Sequence, residues 1–165
     1  MIPAPIPANE AARLKVLREL LLLDTPPEAR YDRIVAFAAR EFDVPMALIS
    51  LVDEDRQWFK ASVGLQVCET SRDVSFCGHA IMTPNTMVVP DAHLDVRFMD
   101  NPLVLGEPHI RFYAGAPLRM PGGEIIGTFC ILDRRPRELD HVQLATLGML
   151  RTMVVDMLCG ATVDT

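Results

Sequence analysis

Met46-Ala47-Leu48-Ile49-Ser50-Leu51-Val52, a seven-residue run apolar except for Ser50, stands between Pro45 and the acidic triplet Asp53-Glu54-Asp55. A run without polar alternation suits a strand covered on both faces, so whatever this chain folds into must have a layer above and a layer below that strand. The acidic triplet is a turn, and Gln57-Trp58-Phe59-Lys60-Ala61-Ser62-Val63 beyond it reads as the hairpin partner. A second pair, Ile110–Leu118 and Glu124–Leu132, flanks the turn Pro121-Gly122-Gly123, and Met87-Val88-Val89 reads as a short strand. No strand–helix–strand alternation links these runs. The layout is therefore α+β, an antiparallel sheet with helices packed on it.

The helices lie mainly at the two ends. Asn9 is a candidate N-cap for a helix over 9–23, where Leu14, Leu17 and Leu21 form one stripe and Val16, Leu20 and Leu23 another. Asp24-Thr25-Pro26-Pro27 ends it and opens a second helix over 27–42, with Tyr31, Ile34, Val35, Ala38 and Phe42 on one face. The last helix, over 137–158, also carries two stripes. One comprises Leu139, Val142, Thr146, Met149, Met153 and Met157, the other Leu144, Leu147, Leu150, Val154 and Leu158. One stripe covers the sheet and the other needs a partner, which predicts a homodimer through the terminal helices. The plainer alternative buries both stripes within one chain. Between the hairpins, 64–75 reads as a loop, 76–82 as a short helix and 91–109 as a long polar segment of the kind that forms binding lids. Residues 1–8, with three prolines, read as a flexible arm, 9–158 as the single domain and 159–165 as a tail.

Charge and motif content exclude several functions. The 16 basic against 22 acidic residues leave a net charge of −6, the wrong sign for holding nucleic-acid phosphates. No apolar stretch is long enough to span a membrane, and the start Met1-Ile2-Pro3-Ala4-Pro5 is not a secretory leader. The four cysteines, Cys68, Cys77, Cys130 and Cys159, form no C-x-x-C and fit a reduced, cytoplasmic protein. His79, His93 and His109 lack the i, i+4 spacing of a helical metal pair, so no metal site is expected. Neither a Gly-rich phosphate loop nor a Gly-x-Ser-x-Gly elbow occurs.

Ser75-Phe76-Cys77-Gly78-His79-Ala80 holds the most chemistry in the least chain, a thiol, an imidazole and an aromatic ring within about one helical turn. Cys77 is a candidate nucleophile, since the thiolate is the reactive form, but Cys77 and His79 at i, i+2 point apart on a helix. The competing reading is a buried cysteine packed as a small hydrophobe. Trp58, Phe59, Phe76, Phe112 and Tyr113 either converge on a pocket or fill the core.

Asn9-Glu10-Ala11-Ala12-Arg13, Leu22-Leu23-Asp24-Thr25-Pro26-Pro27-Glu28 and Asp55-Arg56-Gln57-Trp58-Phe59-Lys60 resemble the start of bacterial GAF domains. Ser75–Ile81, Val88–Ala92, Arg97–Pro102, Ile110–Leu118 and Ile126–Asp133 follow the order of that family. The resemblance implies a non-catalytic sensory domain in signal transduction, with about six antiparallel strands, helices on one face and a loop-covered pocket on the other. It implies a small-molecule ligand of unknown identity and an output module such as a histidine kinase or diguanylate cyclase, as in a two-component system. The chain is then either a stand-alone sensor acting through a partner or part of a longer protein. By the same resemblance the pocket residues are Trp58, Phe76, Cys77, His79, Asp91, Phe112, Tyr113 and Cys130. Bilin-binding relatives carry Cys directly followed by His, whereas Gly78 intervenes here, which argues against a bilin; nothing supports haem. The pattern of cyclic-nucleotide-binding relatives is absent.

Two alternatives accompany this reading. Free methionine-(R)-sulfoxide reductases share the fold and carry a stretch similar to Cys77-Gly78-His79-Ala80, but their His-Ile-x-Cys appears here as His109-Ile110-Arg111-Phe112, without the nucleophile. A milder thiol-redox version is a regulatory disulfide between Cys68 and Cys77. The other alternative is a ligand-free dimerisation module.

Overall fold

A computed structural model describes residues 1–160. The sheet has six strands, β1 (Met46–Val52), β2 (Arg56–Val63), β3 (Glu69–Ser71), β4 (Met87–Val89), β5 (Phe112–Arg119) and β6 (Ile125–Asp133), in the order β3-β2-β1-β6-β5-β4. Every pairing is antiparallel. The apolar run is central as its composition requires, and all seven residues of β1 are buried. At Gly127 the backbone of β6 passes so close to β1 that a Cβ there would lie 1.9 Å from the Ser50 carbonyl oxygen, so only glycine fits.

One face of the sheet is covered by α1 (Glu10–Glu19), α2 (Ala29–Glu41) and α5 (His141–Leu158). Ala47, Ile49 and Leu51 of β1 point into that layer with Tyr31, Val35 and Ala38 of α2 and Leu147, Leu150 and Val154 of α5. Met46, Leu48 and Val52 point the other way, toward α3 (Phe76–Ala80) and α4 (Pro102–Leu105). The period of two therefore splits one strand between two cores. In β2 a bulge breaks the register, with Ile49 opposite Ala61 but Ser50 opposite Phe59, so Lys60 is the extra residue. The Lys60 ammonium is buried against α2, paired with Glu28 at 2.7 Å and donating to Thr25 Oγ1 and the Pro26 carbonyl, each at 2.8 Å.

Several boundaries differ from the sequence expectation. The first helix ends at Glu19 rather than at residue 23, because the chain turns there toward α2 with Leu21 and Asp24 in the left-handed region, φ 54° and 62°. The last helix starts at His141 rather than 137. Asp140 caps it in a reciprocal box with Gln143, and the preceding residues are held extended by Arg137, whose N–H donates to the Pro90 carbonyl. The 64–75 loop contains the edge strand β3 and a 3-10 turn, Arg72–Val74. Glu-Thr-Ser has no apolar pattern to announce a strand, and its backbone pairing with Arg56–Trp58 forms it. Residues 1–8, expected to be a flexible arm, have no regular structure but lie against the domain. Ile2 N–H donates to the Arg97 carbonyl, Ala4 N–H to that of Asp73, and Ala4 and Pro7 are buried.

The two stripes part along the middle of α5, while Leu139 before it and Met157 near its end pack half-buried against the helix-side core. Leu147, Leu150, Val154 and Leu158 are buried on the sheet, whereas Val142, Met149 and Met153 are 74%, 57% and 48% exposed. Of the tail, 161–165 lies outside the described residues. Among the described residues no helix is long and apolar enough to cross a membrane.

Candidate functional site

On the sheet face away from the long helices lies a pocket of about 620 Å³. Met46 and Leu48 of β1, Phe59 of β2 and Leu132 of β6 form its apolar floor, Leu103 and Ile110 belong to the segment that roofs it, and Glu107 and Arg134 stand among its polar lining. The inner wall is α3, a helix of one turn that starts sharply because the Ser75 hydroxyl accepts the Gly78 N–H at 2.8 Å. Phe76 of α3 stacks on Phe98 with ring centroids 4.0 Å apart, and Phe76 and Cys77 line the cavity. This volume is in the range of small-molecule sites.

Three of the eight predicted pocket residues, Phe76, Cys77 and Tyr113, line the cavity, and Cys130 lies directly behind Cys77 at 3.9 Å. The other four are elsewhere. Trp58 and Phe112 belong to the core under the long helices, because each is one residue out of phase with a pocket-facing neighbour, Phe59 and Tyr113 respectively. His79 is on the outer side of α3, edge-on to Phe98 with Nε2 3.0 Å from the Ile2 carbonyl oxygen. Burial there pushes its pKa below the ordinary histidine value. Asp91 caps the 3-10 turn Ala92–Leu94 and takes both 2.8 Å contacts of an Arg111 fork, which holds its carboxyl below the usual range. It shapes the lid segment rather than the cavity.

A strip of polar side chains crosses the pocket-facing side of the sheet. Tyr113 OH and Thr128 Oγ1 donate to Cys77 Sγ at 3.2 and 3.0 Å. Nearby, Ser50 Oγ donates to Gln57 Oε1 at 3.3 Å, and Gln57 Nε2 donates to Thr70 Oγ1 at 2.6 Å. Gly115 is what admits the tyrosine, since a Cβ at that position would lie 2.1 Å from Tyr113 OH. Burial pushes the Cys77 thiol up, but hydrogen bonds with Cys130, Thr128 and Tyr113 outweigh it and bring the pKa to about 7. Cys130 goes the other way, well above the ordinary thiol value, chiefly through burial. Ser50, Gln57 and Thr128 were not singled out from the sequence. The available signal was a hydroxyl inside each of two otherwise apolar strand runs, since a polar residue at a core position needs a partner there.

The wall helix is anchored from below. Arg72, in the 3-10 turn before α3, and Arg13 of α1 both grip the Glu10 carboxylate, Arg13 also donates to the Val52 carbonyl, and Arg72 also donates to those of Asp53 and Glu54. From the lid side, Asn101 caps α4 and donates its side-chain amide to the Val74 carbonyl at 3.0 Å. The Cys68–Cys77 disulfide finds no support in this arrangement: Cys68 is exposed, and the sulfur beside Cys77 is that of Cys130.

The family model described as GAF domain matches residues 26–158. A cyclic di-GMP phosphodiesterase of Pseudomonas aeruginosa is 46% identical over 137 residues, which cover 83% of this chain and 23% of that protein. The chain thus spans under a quarter of that relative's length. Among solved structures, the GAF domain of an Acinetobacter phosphoenolpyruvate-protein phosphotransferase matches with a TM-score of 0.65 at 19% identity, covering 91% of this chain and 94% of that one. The free methionine-R-sulfoxide reductase of Neisseria meningitidis, in complex with its substrate, matches with a TM-score of 0.65 at 18% identity, covering 98% and 96%. At these identities the two structures share a fold with this chain.

Proposed function

The chain belongs to the GAF domain family, and on that footing we propose that it is a non-catalytic sensor that takes a small molecule into the pocket over β1, β2, β5 and β6 and passes its occupancy to a signalling output. The observation that carries this reading is the cavity itself, with an apolar floor, a few polar groups at defined positions and a roof of loop and short helix. A closed, filled interior would have favoured a pure dimerisation module. The segment that matches the Pseudomonas relative is the sensory part of this proposal, and an output domain of the phosphodiesterase, cyclase or kinase class is its partner. Occupancy travels through α5, whose exposed stripe of Val142, Met149 and Met153 packs against a second copy of the chain. A reductase reading lacks its nucleophile, because Phe112 stands where the resemblance places it and is buried on the opposite face of the sheet.

The test is native mass spectrometry of the protein as purified, then thermal unfolding in reducing buffer against a panel of cyclic nucleotides, amino acids and aromatic acids. Leu103→Trp, which fills the cavity from the roof and leaves every sheet residue unchanged, is the control. A ligand present at 100 times its Kd stabilises by about 2.7 kcal/mol, or roughly 5–10 °C for a domain of this size. The expected result is such a shift in the parent and its loss in Leu103→Trp. Equal shifts in both proteins, or no compound bound in either experiment, would refute the reading.

A further inference from the structure

We propose that Cys77 and Cys130 form a peroxide-reactive dithiol at the inner wall of the pocket, with Cys77 as the nucleophile toward a small hydroperoxide and Cys130 as the thiol that then closes a disulfide with it. The inference rests on the pocket admitting small molecules and adds a chemical modification to that site.

The placement of four groups supports it. Cys77 Sγ lies 3.9 Å from Cys130 Sγ, and the Tyr113 and Thr128 hydroxyls point at it from 3.2 and 3.0 Å. Both hydroxyls also interact with Cys130, and Thr128 with Tyr113, so the four groups form one buried cluster around the two sulfurs. A neutral thiol is a weak acceptor, whereas two O–H donors held at these distances suit a thiolate. The pKa values agree in direction, with Cys77 brought down to about 7 and Cys130 kept protonated well above the ordinary thiol value. Access also separates the two roles, since Cys77 lines the cavity and Cys130 lies behind it, so an oxidant meets Cys77 first.

In the first step the Cys77 thiolate attacks the outer oxygen of a hydroperoxide. An S–O bond forms, the O–O bond breaks, and the alkoxide or hydroxide that leaves takes a proton from water, giving Cys77 sulfenic acid. In the second, the Cys130 sulfur attacks the sulfenic sulfur. The S–S bond forms, the S–O bond breaks, and hydroxide leaves with the Cys130 proton as water. The dithiol loses two electrons and the peroxide gains them. Closing the bond brings the sulfurs from 3.9 Å to about 2.05 Å. The movement falls on α3, a single turn held at its start by Ser75. The product ties α3 to β6 and removes the thiolate that accepts from Tyr113 and Thr128, so oxidation rewrites the polar part of the pocket.

The experiment uses the full chain with the exposed thiols removed, Cys68→Ser and Cys159→Ser, treated with hydrogen peroxide or tert-butyl hydroperoxide and digested without reductant. The expected product is a Cys77–Cys130 crosslinked peptide, and in a Cys130→Ala background a dimedone adduct on Cys77. Tyr113→Phe removes one donor and should slow the oxidation at pH 7 by about tenfold while raising the pH midpoint of Cys77 alkylation, a shift that a packing role would not produce. A Cys77 that stays reduced under peroxide that oxidises Cys68 in the parent chain overturns the proposal, as does a Cys68–Cys77 crosslink in the parent. If Cys130→Ala does not fold, the alkylation profile of the parent decides: a midpoint below about 8, clearly under that of a free thiol, sustains the thiolate, and one at or above it overturns the proposal. Ligand binding is measured in reducing buffer, so a protein that binds but does not oxidise sinks only the dithiol, and the converse sinks only the sensor.

Discussion

Glu10→Gln is the perturbation whose consequence the structure specifies most fully. Two guanidiniums with almost no exposure, Arg13 and Arg72, share the one Glu10 carboxylate, Arg13 through contacts of 2.8 and 3.0 Å and Arg72 through contacts of 2.5 and 3.1 Å. Burial of the carboxyl opposes its ionisation, but the two arginines outweigh this and lower its pKa from 4.5 to about 2. That difference corresponds to an upper bound of about 3 kcal/mol of stability at neutral pH. Since 19% of the Glu10 side chain is open to water, screening reduces the expectation to about 2 kcal/mol, or roughly 4–8 °C in Tm. A carboxyl depressed by folding contributes fully above its unfolded pKa and loses that contribution as pH falls toward the folded one, so half should be gone by about pH 3. Urea unfolding of both proteins at pH 7 and pH 3 measures this. A gap of about 2 kcal/mol that shrinks by about half supports the network. A gap of the same size at both pH values, or below 0.5 kcal/mol at pH 7, would refute the electrostatic account and leave only packing. Because Arg72 leads into α3, the same variant should also loosen the pocket wall, read as faster amide exchange over 72–80.

The buried Lys60 gives an asymmetric expectation: Glu28→Ala leaves an ammonium with no exposure without its carboxylate and should cost about 2–3 kcal/mol, whereas Lys60→Met frees the 38% exposed Glu28 into water and should cost under about 1 kcal/mol in the same urea assay. The reverse order would show that the hydrogen bonds to Thr25 and Pro26, not the charge pair, hold the bulge. For α5, Met149→Asp puts a charge into the exposed stripe without touching the sheet-facing one, so the proposed pairing of two copies predicts a lower mass by light scattering for the variant than for the parent; equal masses would remove the stripe from that proposal.

What was legible in the sequence follows a physical rule visible in single residues. Ala47 and Leu48 go to different cores, and so do Phe112 and Tyr113, because a strand alternates sides regardless of side-chain type. The sequence shows where β1 and β5 run, yet in strands buried on both faces hydrophobicity carries no information about which residue faces which layer. The family resemblance names the segments that build the pocket but not the phase within them, and Trp58 and Phe112 fall on the other face for that reason. Polarity supplies the missing phase: Ser50 and Thr128 stand opposite each other in β1 and β6, and both belong to the pocket-facing set. Glycine supplies it again in β5, where Gly115, two residues after Tyr113 and on the same side, leaves the gap that the phenol occupies. Asp91 and His79 fail for another reason, that a residue in a site-forming segment is often there to shape the segment. Asp91 fastens the lid to Arg111, and His79 meets the N-terminal residues across the outside of α3. The thiol pair was out of reach of spacing altogether, since 53 residues separate Cys77 from Cys130 and only the packing of a one-turn helix over β6 brings the two sulfurs together.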